Sequence, residues 1–260
     1  MAFIRTILVI FSTFAFYCTP ALAAVGDDPL GSPMWTELRD RYLGNNAKVV
    51  FDSRVKVTGP KVAEDSMNVP VGIRIEGLDD IKRVLVIADL NPIIKVLEFS
   101  PRGATPALHF RMKLQQGSPV RALVQTGDGL WHAGGIWIDA SGGGCTAPSV
   151  GRSAPDWTST LGQVQAKVWE TPQQSRVKLN IMHPMDTGLA PGIPAFYIER
   201  LSLQDETGRE WMLLETFEPV SENPVFSFDF PGRTPPGLRL VGRDSGGNRI
   251  DAKVGQEVAQ

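Results

Sequence analysis

Short runs in which every second residue is apolar recur along this chain of 260 residues, and a period of two restricts such runs to half-buried β-strands. In 107–114, Leu108, Phe110, Met112 and Leu114 point one way, and His109, Arg111 and Lys113 point the other. Ile73 and Ile75 alternate with Arg74 and Glu76, and Val177, Leu179 and Ile181 alternate with Arg176, Lys178 and Asn180. Phe226, Phe228 and Phe230 alternate with Ser227 and Asp229, and Leu238 and Leu240 flank Arg239. The run Val84-Leu85-Val86-Ile87-Ala88 does not alternate, which predicts a strand covered on both faces. Gly127-Asp128-Gly129, between runs 120–125 and 131–138, predicts a hairpin turn, as do 205–208 and 244–248. One short helix is expected early, where Trp35, Leu38, Tyr42 and Leu43 recur at helical spacing between a Ser32-Pro33 start and a Gly44 stop. The expected fold class is all-β: two sandwiches, with strands about every ten residues.

The N-terminus reads as a targeting segment. Arg5 precedes an apolar run over 7–17, and Ala21-Leu22-Ala23 fits a small-residue cleavage site. The run is too short to span a bilayer. A lipid anchor on Cys18 would need a small residue before it, where Tyr17 stands. Residues 1–23 are therefore expected to be a cleaved signal peptide, which predicts export to the periplasm. No later stretch reads as a membrane span. A net charge of −2 offers no electrostatic basis for binding nucleic acid or anionic lipid.

From about 141 to 160 the alternation stops, and Gly, Ser, Thr and Pro dominate. This reads as a flexible arm between a first sandwich over 35–140 and a second over 161–254. The two are expected to pack across a shared apolar face. The arm holds Cys145, the only cysteine left once Cys18 is removed, directly after Gly142, Gly143 and Gly144. Three glycines fix no dihedrals, so the thiol is expected to be exposed and mobile. An exposed lone thiol in an exported protein oxidises readily, and the simplest reason to keep one is that it is the working group. Arg152 is the one cation within the arm, so local sequence gives the thiol little activation.

These residues also carry a family resemblance. Ala63-Glu64-Asp65, Val69-Pro70-Val71, Asp89-Leu90-Asn91-Pro92, Val120-Arg121-Ala122 and the Gly-Gly-Cys ending at Cys145 resemble the Y subunit of the periplasmic SoxYZ sulfur carriers. His183-Pro184-Met185-Asp186-Thr187-Gly188, Ile193-Pro194-Ala195 and Val220-Ser221-Glu222-Asn223-Pro224 resemble the Z subunit. The resemblance extends to fused carriers found beside quinoprotein dehydrogenases in methylotrophic bacteria. It implies immunoglobulin-like folds for both sandwiches and a carrier, not an enzyme, with no cofactor, Cys145 as the covalent attachment point for sulfur, and Gly142, Gly143 and Gly144 as its swinging arm. The implied partners are the sulfur-oxidising enzymes or cytochromes that load and unload Cys145, and a quinoprotein dehydrogenase system. In the separate Y subunit the cysteine sits at a free C-terminus. Here Thr146-Ala147-Pro148 follow it and the arm is tethered at both ends, which shortens its reach.

Other constellations compete. Met182, His183 and Met185 suit copper, since thioether and imidazole are both copper ligands, and a periplasmic copper-binding or structural two-sandwich module is the alternative class. A cysteine hydrolase would need an oriented base beside Cys145, which a glycine arm does not supply. Trp131, Trp137, Trp157, Trp169 and Trp211 are expected to serve core or inter-domain packing.

Overall fold

The computed structural model describes residues 28–150 and 156–255. The signal-peptide expectation for 1–23, with Cys18, lies outside the described residues, as does Arg152. No helix among the described residues is long and apolar enough to cross a membrane.

The first half contains α1 (Trp35–Leu43), then β1 (Val49–Phe51), β2 (Val55–Thr58), β3 (Val62–Ala63), β4 (Val69–Ile75), β5 (Ile81–Ala88), β6 (Lys95–Ser100), β7 (Ala107–Met112), β8 (Ser118–Thr126) and β9 (Trp131–Ala140). The second contains α2 (Trp157–Thr160), then β10 (Val164–Glu170), β11 (Gln174–Ile181), β12 (Ile198–Gln204), β13 (Glu210–Thr216), β14 (Val225–Pro231), β15 (Arg239–Asp244) and β16 (Arg249–Lys253). The fold is all-β apart from these two helices, and α1 covers the residues that the helical spacing marks. Gly44 ends it, its N–H bonding to the Asp40 carbonyl at 3.1 Å.

The two halves join edge to edge, where the sequence suggested apposed faces. One sheet runs β1-β9-β8-β5-β6-β13-β12-β15-β16, with β3 paired to β9, and the other runs β10-β11-β14-β7-β4-β2. The crossings between halves are antiparallel, with Leu214 opposite Phe99 in one sheet and Phe228 opposite Leu108 in the other. Each half thereby covers a strand edge that the other would leave open. A single core lies between the sheets and continues through both halves, with Phe99, Leu108 and Phe110 from the first and Leu179, Phe226 and Phe228 from the second.

The non-alternating run in β5 is buried on both faces for a simple reason. Val84, Val86 and Ala88 face the main core, whereas Leu85 and Ile87 face a second cluster with Trp35 and Leu38 of α1. Arg121 pins this layer. Its guanidinium bonds Asp28 at 2.6 and 2.7 Å and Asp89 at 2.9 and 3.0 Å, and lies over the Trp35 ring. The Asp28 carboxyl is held below its usual range: burial opposes this, but the Arg121 bond and backbone N–H groups outweigh it. Burial pushes Asp89 upward against the pull of Arg121.

Two sequence expectations are corrected here. Lys113, placed by alternation on the solvent side, is buried because the second half covers the end of β7. Trp137 and Trp169 lie outside the core as exposed side chains, whereas Trp131 is buried.

Candidate functional site

Cys145 lies where the two halves meet. It is fully buried, contrary to the exposed thiol expected from the glycine run. Backbone geometry explains the difference. Gly142 and Gly143 take φ values of +103° and +84°, which residues with a Cβ rarely adopt. The Gly143 carbonyl accepts N–H bonds from Thr146 at 3.3 Å and Ala147 at 3.1 Å, closing a tight turn with Cys145 inside it. Gly144 lies flat against the first half, where a Cβ would stand 2.1 Å from the Ser66 carbonyl oxygen and 2.6 Å from that of Leu114. In this structure the glycines dock the arm.

The first half supplies the cradle. Gly143 and Gly144 donate to the carbonyls of Gln115 and Leu114, at 3.3 and 3.1 Å. Gln115 Oε1 accepts the Cys145 N–H at 3.2 Å. The Cys145 thiol points to the Lys113 carbonyl oxygen at 3.8 Å. Asn91 braces the same segment, donating to the Lys113 carbonyl and accepting from the Gln115 N–H, both at 2.9 Å.

The second half closes the site. Thr187 Oγ1 donates to the Cys145 carbonyl at 2.5 Å, and Lys113 Nζ donates to the Met185 carbonyl. Ser221 joins the halves twice, through Oγ to the Met67 carbonyl at 2.7 Å and through its N–H to the Arg111 carbonyl at 3.1 Å. Glu222 Oε2 accepts the Val150 N–H at 2.8 Å, fixing the arm beyond the thiol.

Burial pushes the Cys145 thiol up to about 11 from an ordinary 9.0, with the Lys113 charge pulling the other way. Burial also draws the Lys113 ammonium down, while Asp186, Cys145 and Glu222 favour its charge. The docked thiol is therefore protonated at neutral pH. Since the thiolate is the nucleophile, docking cuts the reactive fraction about a hundred-fold.

The copper alternative finds its candidate ligands engaged otherwise. His183 Nδ1 accepts the Met185 N–H at 3.0 Å, its ring packs on Phe196, and its Nε2 faces Asp244 at 3.5 Å. Met185 is buried, and its sulfur accepts the Ile198 N–H at 3.3 Å. Met182 is exposed. No cluster of three or more His, Cys, Asp or Glu suited to a metal occurs among the described residues.

The residues that sequence reasoning missed are Lys113, Gln115 and Thr187. The last lies within the second-half motif, but its partner is 42 positions away, and no local pattern reveals such a pairing.

Among the described residues, the one free thiol is sheltered at a seam built by two β domains. Residues 39–145 match the family described as sulfur oxidation protein SoxY, and residues 167–254 match that described as sulphur oxidation protein SoxZ. No curated protein sequence matches. Among solved structures, 1141 chains match. One is the sulfur carrier protein SoxY from Chlorobium limicola f thiosulfatophilum, at 18% identity and a TM-score of 0.36, covering 41% of this chain and 90% of that one. The chain belongs to the SoxYZ family of sulfur carriers, with the Y and Z domains fused in one polypeptide.

Proposed function

We propose that this protein is a periplasmic carrier in which Cys145 binds sulfur intermediates covalently, on an arm that alternates between the docked position and a released one. The observation that carries the reading is that the SoxY match ends on Cys145, whose backbone is held at the seam by groups from both domains. As a thiolate, Cys145 attacks the sulfane sulfur of a polythionate and expels thiosulfate, retaining an S-thiosulfonate, or attacks that of thiosulfate and expels sulfite, retaining a persulfide. Joining thiosulfate itself to the thiol as an S-thiosulfonate releases two electrons, which a partner cytochrome must accept. The docked arm keeps the thiol protonated and out of reach. Release exposes it to the enzymes that load and unload it, among which we place a quinoprotein dehydrogenase system. The chain acts as a carrier and not as a catalyst: the Lys113 carbonyl that contacts Sγ is an acceptor that cannot serve as a general base.

Intact-mass spectrometry of the protein from its host tests this. Adducts on Cys145 of about 32 Da per sulfane sulfur, or about 112 Da for an S-thiosulfonate, removed by mild reductant, support sulfur cargo. An unmodified Cys145 under sulfur-oxidising growth contradicts it.

A further inference from the structure

Away from the thiol, the outer face of the second sheet holds a groove of about 820 Å³ that spans the junction between the halves. Its floor comes from β4 and β7 of the first half and β11 and β14 of the second, so it is complete only when both are paired. Gly72 keeps the floor low. A Cβ there would come within 2.6 Å of Thr58 Oγ1 and 2.7 Å of His109 Nδ1.

The groove is basic on a protein of net charge −2. Arg111, Arg176 and Lys178 line it, beside His109, whose pKa burial and then Arg176 hold below the ordinary histidine value, and none of its lining residues is acidic. Arg176 is balanced by Asp229, which accepts from it at 2.7 and 2.9 Å. Arg111 and Lys178 have no carboxylate within ion-pair distance among the described residues. One wall is the indole of Trp169, which is 51% exposed, and Pro60, Pro70 and Val225 add further apolar surface.

The groove also leads toward the thiol. His109, Arg111 and Lys113 occupy alternate positions on one face of β7 and its continuation, successive members about 7 Å apart. The first two lie in the groove, and the third offers its carbonyl to Cys145.

We propose that this groove docks an acidic segment of the enzyme that acts on Cys145; this rests on the carrier reading above. The volume suits several residues of polypeptide and would leave a small sulfur oxyanion mostly unsurrounded. Arg111 and Lys178 supply charge complementarity, and Trp169 with the prolines supplies apolar contact.

The test uses the full chain and a fluorescein-labelled hexaglutamate peptide, followed by anisotropy at low salt. Arg111→Glu with Lys178→Glu is compared with a charge-matched pair on other strands or loops, Lys48→Glu with Lys253→Glu. The expected result is binding by wild type that falls at least about ten-fold in the groove pair and less than about two-fold in the control pair. No binding by wild type, equal loss in both pairs, or displacement by equimolar thiosulfate or sulfate overturns the proposal. The same groove variant, purified from its host, should lose the Cys145 adduct yet react with tetrathionate at the wild-type rate. A full adduct on the groove variant contradicts the docking role and leaves the carrier intact. An unmodified Cys145 in wild type contradicts the carrier reading, and the peptide measurement then decides the groove alone.

Discussion

Thr187 of the second domain donates a 2.5 Å hydrogen bond to the carbonyl of Cys145, which ends the SoxY match, and Gln115 of the first accepts the Cys145 N–H, so each domain holds one side of the cysteine backbone. Replacing Thr187 by Val removes the donor and keeps the shape. A bond of this kind contributes about 1 kcal/mol net, enough to shift the balance between docked and released arm roughly five-fold. Maleimide labelling of native Thr187→Val protein should accelerate by about that factor, and an unchanged rate would remove Thr187 from the latch.

Gly144→Ala should do more. Its Cβ would stand 2.1 Å from the Ser66 carbonyl oxygen, and backbone on both sides cannot yield. The arm should undock while both sandwiches stay folded, because the core lies elsewhere. The sign opposes a simple stiffening of the arm: labelling should become faster, by about ten-fold or more. Slower labelling would show that Gly144 matters for mobility and not for docking.

The pH dependence has a distinct shape. A thiol whose docked value is raised from 9.0 to about 11 docks best when protonated. Docking is therefore at full strength below pH 9.0 and weakens as pH rises toward about 11. A simple thiol reaches its plateau of labelling rate once ionised. Cys145 should keep accelerating, about ten-fold per pH unit, through the interval in which the simple thiol levels off. A plateau near pH 9.0 would mean that the docked thiol is not desolvated.

Arg121→Met should lower stability without touching the thiol. It would leave the buried Asp89 and the half-buried Asp28 carboxylates with no cation between them. Breaking a buried network in this way costs about 3–5 kcal/mol, readable as a lower midpoint in urea. A change below about 1 kcal/mol would show that the site relaxes to admit water.

Much of this was legible in the residues. The alternation of Leu108, Phe110 and Met112 gave β7 its buried face, and Ser32-Pro33 with Gly44 bounded α1. The two-faced burial of 84–88 followed from the absence of alternation. The state of the thiol did not follow. Glycine runs signal flexibility only when nothing approaches their backbone, and Gly144 is bare because the Ser66 and Leu114 carbonyls approach it closely. Lys113 misled for a related reason: alternation tells which side of a strand a residue faces, and the 183–188 segment, far along the chain, covers that side. The joining of the two halves across β6–β13 and β7–β14 is likewise a long-range pairing that no local period encodes.

The central claim is that Cys145 carries sulfur. Its most direct test is the intact mass of wild type and Cys145→Ser protein isolated from sulfur-oxidising cells, before and after mild reductant. The account predicts reducible adducts on wild type, of about 32 Da per sulfane sulfur or about 112 Da for an S-thiosulfonate, and none on Cys145→Ser. Adducts that persist on Cys145→Ser, or a wild type that stays unmodified while the cells oxidise sulfur, would contradict it.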